Sequence, residues 1–339
     1  MTLKRVCITP KVSGVGGMVT FQAKLNTGLT ARGIQVTYDL QDETYDCVLV
    51  VGGTKHLGAL RRAKQRGLPI VQRLDGMNWL HRRVRTGLRH WLRAESGNHL
   101  LASIRKHIAT HVVYQSHFVQ DWWQREHGVG PNSRVIYNAV DLNLFTPKGK
   151  EKSPKTPIRI LLVEGSLLGG YELGLVSAVA LANEIQRIHK TKAELTVAGR
   201  VNEDQKEKWA RKSQVPIQWV GVLPHEEIPA LNRSAHLLYS ADLNAACPNS
   251  VIEAMSCGLP VLSFDTGALK ELVTREAGRV VPYGGDPWKL DPPDISALAL
   301  GAIELLNNQS AFRAGARARA EEALGLDKMV DAYIEVLNG

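Results

Sequence analysis

The chain is poor in several features that would mark particular protein classes. Its four cysteines, Cys7, Cys47, Cys247 and Cys257, lie far apart with no CxxC or Cys/His ligand spacing. That excludes a disulfide framework and a structural zinc site, and makes a reducing cytosol the expected setting. No apolar run approaches the roughly 18–20 residues of a membrane span. The opening "MTLKRVCITP" has no secretory-type run and reads as a first strand. There is no internal repeat and no low-complexity tract. His56, His81, His111 and His225 are scattered without a ligand pattern, so no metal site is expected. Acid is scarce in one place: residues 55–93 hold eleven Lys or Arg against Asp75 alone. This segment carries the entire excess behind the chain's formal charge of +9.

What is present is an alternation of short apolar runs and helical patterns across 339 residues. The runs at 5–10, 45–53, 69–76, 111–116, 134–140, 158–166, 193–200, 217–222, 235–241 and 260–265 read as strands. They are continuous rather than strictly alternating, the mark of parallel strands covered on both faces. Helical patterns at 18–32, 173–189 and 249–257 complete a βαβ rhythm, so the expected class is α/β with doubly wound parallel sheets. "TPKGKEKSPKTP" (146–157), with three prolines and five charges, reads as a linker between two such domains. The tail 326–337 has helical spacing at Met329, Val330, Tyr333 and Val336.

Four stretches carry chemistry. "SGVGG" (13–17) joins a strand to a helix, so Gly16 and Gly17 either let a phosphate or sugar approach the backbone or simply make a tight turn. Its third glycine position for G-x-G-x-x-G falls at Val19, which argues against a dinucleotide cofactor. "RLDG" (73–76) puts Asp75 at a strand end, where it can accept from a ligand hydroxyl, pair with Arg73 or Arg82, or shape an Asp-Gly turn. "NWLHRRVRTGLRHWLR" (78–93) spaces Leu80, Val84, Leu88 and Trp91 or Leu92 as one helical face among five arginines. It suits a helix on an anionic membrane surface, a helix lining a site for a charged acceptor, or an ordinary surface helix. Nucleic acid is a weaker expectation, because no recognised nucleic-acid module accompanies the basic segment. In "ACPNSVIEAMSCGLPVLSFDTGALKE" (246–271), Ser250-x-x-Glu253 has the spacing of a capping box. The free N–H groups at Asn249 and Ser250 equally favour a phosphate, with Glu253 near enough to take ribose hydroxyls.

"PNSVIEAMSCGLPVLSFDTGALKELV" resembles the donor-site signature of GT-B glycosyltransferases of family 4, also called glycosyl transferases group 1. "GVGGMVTFQAKLNTGLTARG" (14–33), "VVYQSHFVQDWW" (112–123), "VIYNAVDLNLFTP" (135–147) and "IQWVGVLPHEEIPALNRSAHLLYS" (217–240) resemble other parts of that family in the same order. The resemblance implies two Rossmann-like domains facing a cleft: 1–147 on the acceptor side and 158–325 for the donor, with a helix at about 326–339 packed back on the first. It implies a retaining transfer of sugar from a nucleotide-diphosphate sugar to a hydroxyl on a glycan, lipid or small molecule. No metal and no cofactor beyond that donor substrate are implied. By motif position, Glu253 would hold the ribose, the backbone at Asn249, Ser250 and Val251 the diphosphate, and Val222 and Leu223 would lie near the base. Gly16 and Gly17 would approach the donor, and Asp75 would face the acceptor.

Two departures from that family stand out. Its usual sugar-contacting Glu, eight residues before Glu253, is Ala245 here. Its usual Arg and Lys, five apart in the first loop of the second domain, are Ser166 and Tyr171. Cations at that place neutralise a leaving diphosphate, and Arg200 is the nearest candidate to replace them. Three function classes follow. One is an active cytoplasmic transferase, peripheral at the inner membrane face through segment 55–93. Another is a non-catalytic nucleotide-sugar or glycan-binding relative. The third is a basic-surface protein whose main partner is a membrane or polyanion.

Overall fold

The computed structural model describes residues 3–14, 16–168 and 172–339. The chain forms two compact units, one of residues up to Ala139 together with Leu326–Gly339, the other of Val140–Gly325. The segment 146–157 therefore belongs to the second unit. Among the described residues the strands form two six-stranded sheets, and every strand pair is parallel.

The first unit runs β1 (Arg5–Thr9), α1 (Gly17–Ala31), β2 (Gln35–Thr37), β3 (Cys47–Val51), α2 (Leu57–Gln65), β4 (Ile70–Leu74), α3 (Leu88–His107), β5 (His111–Tyr114), α4 (His117–His127) and β6 (Asn132–Val135). Its strand order is β2-β1-β3-β4-β5-β6. The strands β3 and β4 are buried throughout; β3 is a continuous apolar run, while β4 also carries Gln72 and Arg73 inside. The run expected as a strand at 134–140 is displaced: the ladder to β5 uses Asn132–Val135, and Ile136–Val140 leaves the sheet.

The second unit runs β7 (Ile158–Ser166), α5 (Glu172–His189), β8 (Ala193–Arg200), α6 (Glu203–Lys212), β9 (Ile217–Gly221), α7 (Ile228–Arg233), β10 (Leu237–Ser240), α8 (Asn249–Ser256), β11 (Val261–Phe264), α9 (Leu269–Leu272), β12 (Gly278–Val281), α10 (Ile295–Asn307) and α11 (Gln309–Ala323). Its order is β12-β11-β10-β7-β8-β9. The chain winds outward from β7 through β8 and β9, then crosses to β10 and winds the other way. That reversal makes β7 and β10 neighbours and their carboxyl ends a topological switch point. A core built on Ile160, Leu162, Leu181, Leu195, Tyr239 and Phe264 lies against this sheet.

The last helix, α12 (Leu326–Leu337), completes the first unit. It buries Met329, Val330, Tyr333 and Leu337. The fourth inward position is thus Leu337, one residue beyond the expected Val336. Tyr333 meets Phe21 of α1 with ring centroids 5.3 Å apart, and Gly28 lets Val330 come so close that a Cβ there would stand 2.3 Å from its methyl.

The basic stretch 78–93 is not one helix. A short 3₁₀ turn, Leu80–Arg82, ends in a bend, and α3 starts afresh at Leu88. Thr86 and Gly87, both poor helix formers, fall at the break. Nor is 55–93 one cationic surface: Arg73 is buried in β4, Arg62 and Arg66 face Glu43, and Arg82 pairs with Glu95.

Candidate functional site

The carboxyl ends of the second sheet gather the chemistry. After β10 the chain passes through Asn244 and Ala245 before turning into α8. Gly267, after β11, packs its backbone on this loop at φ +61, and a Cβ there would lie 2.4 Å from the Ala245 nitrogen. Only glycine fits that approach. Ala245 is itself buried, and its carbonyl accepts from Ala268 N at 2.9 Å. The loop is therefore held by backbone contacts, with no acid at the position where the resemblance expects one.

Helix α8 has Pro248 as its N-cap residue and no side-chain cap. The capping-box reading of Ser250 and Glu253 is thus not what the fold uses. Glu253 lies beyond the first turn, and its side chain is only 8% exposed. Its Oε1 instead meets His225 Nε2 at 3.0 Å. His225 stands in a 3₁₀ turn after β9, its ring 4.9 Å from that of Phe145. Asn249 and Ser250, both half-buried, open the helix, while Val251 points into the core. Their N–H groups belong to the first helical turn, which has no acceptors within the helix. An anion there meets the positive end of the helix dipole.

Val222 and Leu223 directly follow β9, and Val222 is 54% exposed although apolar. Arg200 closes β8 beside Ser166 of β7, with which it is in register, and it is exposed. Among the described residues its side chain has no ion-pair or hydrogen-bond partner. Tyr171, the other departure, lies outside the described residues.

At the switch point, Glu164 of β7 and Asp242 just past β10 come together as an acidic pair. Both are half-buried, and neither has a hydrogen-bonding or cationic partner among the described residues. Burial holds the Glu164 carboxyl well above the ordinary range, and the negative charge of Asp242 adds to the effect. Burial raises Asp242 too. Two carboxyls so placed favour sharing a proton over carrying two charges, because burial and their mutual repulsion both oppose full ionisation. Beside the pair, Gly199 of β8 lets the β7 main chain come close: at φ +139, a Cβ on this residue would stand 2.0 Å from the Glu164 backbone carbonyl.

In the first unit, Gly16 precedes α1 and Gly17 begins it; a Cβ on Gly16 would meet nothing within 4 Å. Val15, between Gly14 and Gly16, lies outside the described residues. Asp75 follows β4 and is half-buried. Burial raises its carboxyl, and the Arg73 charge opposes that rise. Neither expected ion pair forms: Arg73 donates to Asn138 Oδ1 at 2.8 Å, and Arg82 to Glu95 at 2.6 Å. The Asp75 carbonyl instead accepts from Trp123 Nε1 at 2.8 Å.

The side chains of His225, Glu164 and Asp242 are the ones sequence reasoning passed over. His225 is 28 residues from Glu253, and only the return from β9 to α8 brings them together. The two acids did carry a signal, since each ends a buried apolar strand, "ILLVEG" and "LLYSAD".

Residues 176–308 match the family model of glycosyl transferases group 1. A subunit of the phosphatidylinositol N-acetylglucosaminyltransferase of Arabidopsis thaliana is 27% identical over 145 residues. This match takes in 41% of the present chain and 31% of that protein's length. Among solved structures, a sucrose-phosphate synthase from Thermosynechococcus elongatus superposes with a TM-score of 0.74 at 14% identity, covering 99% of this chain and 98% of that one. Anabaena HepE, solved in complex with UDP-glucose, superposes with a TM-score of 0.71 at 16% identity, covering 99% of each chain. The two-unit α/β fold is thus the GT-B fold.

Proposed function

We propose that the protein is a glycosyltransferase of family 4 that moves a sugar from a nucleotide-diphosphate sugar to a hydroxyl acceptor, with retention of configuration and without a metal ion. The observation that carries this reading is Glu253, buried behind the start of α8 and oriented by His225 instead of capping its helix. A carboxylate so placed accepts the two hydroxyls of a ribose, while the N–H groups of Asn249 and Ser250 take the diphosphate. Val222 and Leu223 offer an apolar edge to the base. Arg200, at the end of β8 with no partner among the described residues, supplies positive charge to the leaving diphosphate.

The sugar half departs further from the family. Ala245 offers no acid, and the Glu164–Asp242 pair is the carboxyl chemistry at this sheet end that can take sugar hydroxyls. Asp75 is assigned to the acceptor, and Gly16 and Gly17 to contact with a phosphate or sugar. The setting is cytoplasmic, in keeping with four buried cysteines that form no disulfide among the described residues. No helix among the described residues is long and apolar enough to cross a membrane.

The test is thermal shift with UDP, GDP, ADP and their sugars, followed by assay of nucleoside diphosphate release with hydroxyl acceptors. One nucleotide should raise the midpoint by mass action, and release should persist in EDTA. No response to any nucleotide at millimolar concentration overturns the donor site. Binding without release for every acceptor favours the second reading, a non-catalytic nucleotide-sugar-binding relative, which Ala245 and Ser166 motivate.

A further inference from the structure

The start of α3 presents an apolar face that nothing in the first unit covers. Leu88 is 74% exposed, Leu92 54% and Trp91 42%. At about 100° per residue these three share an arc of roughly 100°, with Arg89 and Arg93 along one flank. Arg83 and Arg85 in the preceding bend are exposed as well. Among the described residues none of these four guanidinium groups has an ion-pair partner. They contrast with Arg82, which Glu95 holds through two bonds of 2.6 and 2.8 Å.

The face is also held in place. Glu95 meets His81 Nε2 at 2.9 Å as well as Arg82, and these contacts pull its carboxyl down to about 2. One turn further on, Asn98 accepts from Asn78 N at 3.0 Å and donates to Asn78 O at 2.8 Å. His81 packs edge-on against Trp91 with ring centroids 6.2 Å apart. The helix start is thereby fixed to the bend before it, so little ordering is lost when the face docks.

We infer that Leu88, Trp91 and Leu92, with Arg83, Arg85, Arg89 and Arg93, form a docking face for the surface of an anionic lipid bilayer. Charge complementarity selects that occupant. A polyanion such as RNA would use the arginines and leave Leu88 and Leu92 in water. A bilayer takes both, seating the apolar side chains among the acyl chains and the guanidinium groups on headgroup phosphates. Tryptophan at the rim of such a face suits the headgroup layer. The face lies outside the proposed donor site and does not depend on it.

The test is co-sedimentation of the full chain with phosphatidylcholine vesicles, with and without phosphatidylglycerol, at low and high salt. Binding should require the anionic lipid and weaken with salt. Each of Arg83→Gln, Arg85→Gln, Arg89→Gln and Arg93→Gln should cost about fivefold. The combined Leu88→Ser, Trp91→Ser, Leu92→Ser variant should lose at least ~10-fold at low salt, with its nucleotide response retained and its melting temperature lowered only as far as the lost Trp91–His81 contact requires. Equal binding to neutral vesicles, full binding by that triple variant, or binding of single-stranded RNA with no binding of vesicles would each overturn the inference.

Discussion

The two units share a sheet architecture but finish it in opposite ways. At the carboxyl end of the first sheet, polar groups answer one another. Arg73 donates to Asn138, Asn138 donates to Gln115 at 3.1 Å, and Thr9 meets Thr54 at 3.4 Å. The Arg73 guanidinium also stacks 3.9 Å from the centre of the Phe21 ring. All of these groups are buried. At the carboxyl end of the second sheet, Arg200, Glu164 and Asp242 have no such partners among the described residues. A folded chain gains nothing in stability from half-buried carboxyls held above their ordinary range. A ligand that completes the second edge accounts for that condition, whereas the first edge pairs most of its buried polar groups and leaves Asp75 as its own raised, half-buried carboxyl.

The largest effect on this contrast should come from closing the second edge. In Gly199→Ala the new methyl would meet the Glu164 carbonyl, and alanine resists φ +139. A loss of about 3 kcal/mol or more is expected in urea unfolding. A loss under about 1 kcal/mol would mean that β7 and β8 can part here at little cost.

Next comes Glu253→Ala. Nucleoside diphosphate affinity should fall about 10- to 100-fold by calorimetry, the scale of charge-assisted hydrogen bonds, while stability changes by about 1 kcal/mol or less. A large loss of stability with unchanged affinity would make the His225 contact purely structural, and the second edge no more open than the first.

Glu164→Gln probes the pair itself. Because the folded-state value is raised, the protonated form is the one folding favours. Its contribution is fully present below the ordinary glutamate value of about 4.3 and is lost as pH rises through the raised value. The wild-type melting temperature should therefore decline on going from mildly acidic to alkaline pH, and Glu164→Gln should flatten that decline. Equal slopes would show that Glu164 is ionised and solvated like a surface acid.

How much of this was legible in the sequence follows from the range over which each feature is encoded. Buried parallel strands such as "CVLVV" and "ILLV" announce themselves, because both faces must be apolar. The edge strands β2 and β12 do not: "QVT" and "GRVV" pack only partly, so no apolar run was demanded of them. At 78–93 the apolar spacing was present, yet Thr86 and Gly87 outweighed it, and the side chains at Leu88 and Leu92 turned out to face solvent. The proposed nucleotide half of the site rests on one contiguous motif, so its residues could be named from the sequence. The His225–Glu253 contact and the Glu164–Asp242 pair arise from strand order, which no local pattern states. The capping box failed because its spacing is necessary to the motif but not sufficient: Ser250 falls inside the helix, with Pro248 at its entry.

The smallest effect should come from the first edge, where Arg73→Met removes a buried charge while keeping most of the volume stacked on Phe21. Arg73 Nε is buried without a partner in the structure, so losing the guanidinium relieves one unmet donor even as Asn138 loses a bond. Replacing a buried charge by a well-packed apolar side chain is often close to neutral, and a change within about 1 kcal/mol is expected, with nucleotide affinity untouched. The informative readout is Asp75. Burial raises its carboxyl and the Arg73 charge opposes that rise, so in Arg73→Met the Asp75 titration followed by carbon NMR should move further up. If it moves down or stays, Arg73 does not act on Asp75, and the self-contained character of the first edge stops short of the one acid that segment 55–93 contains.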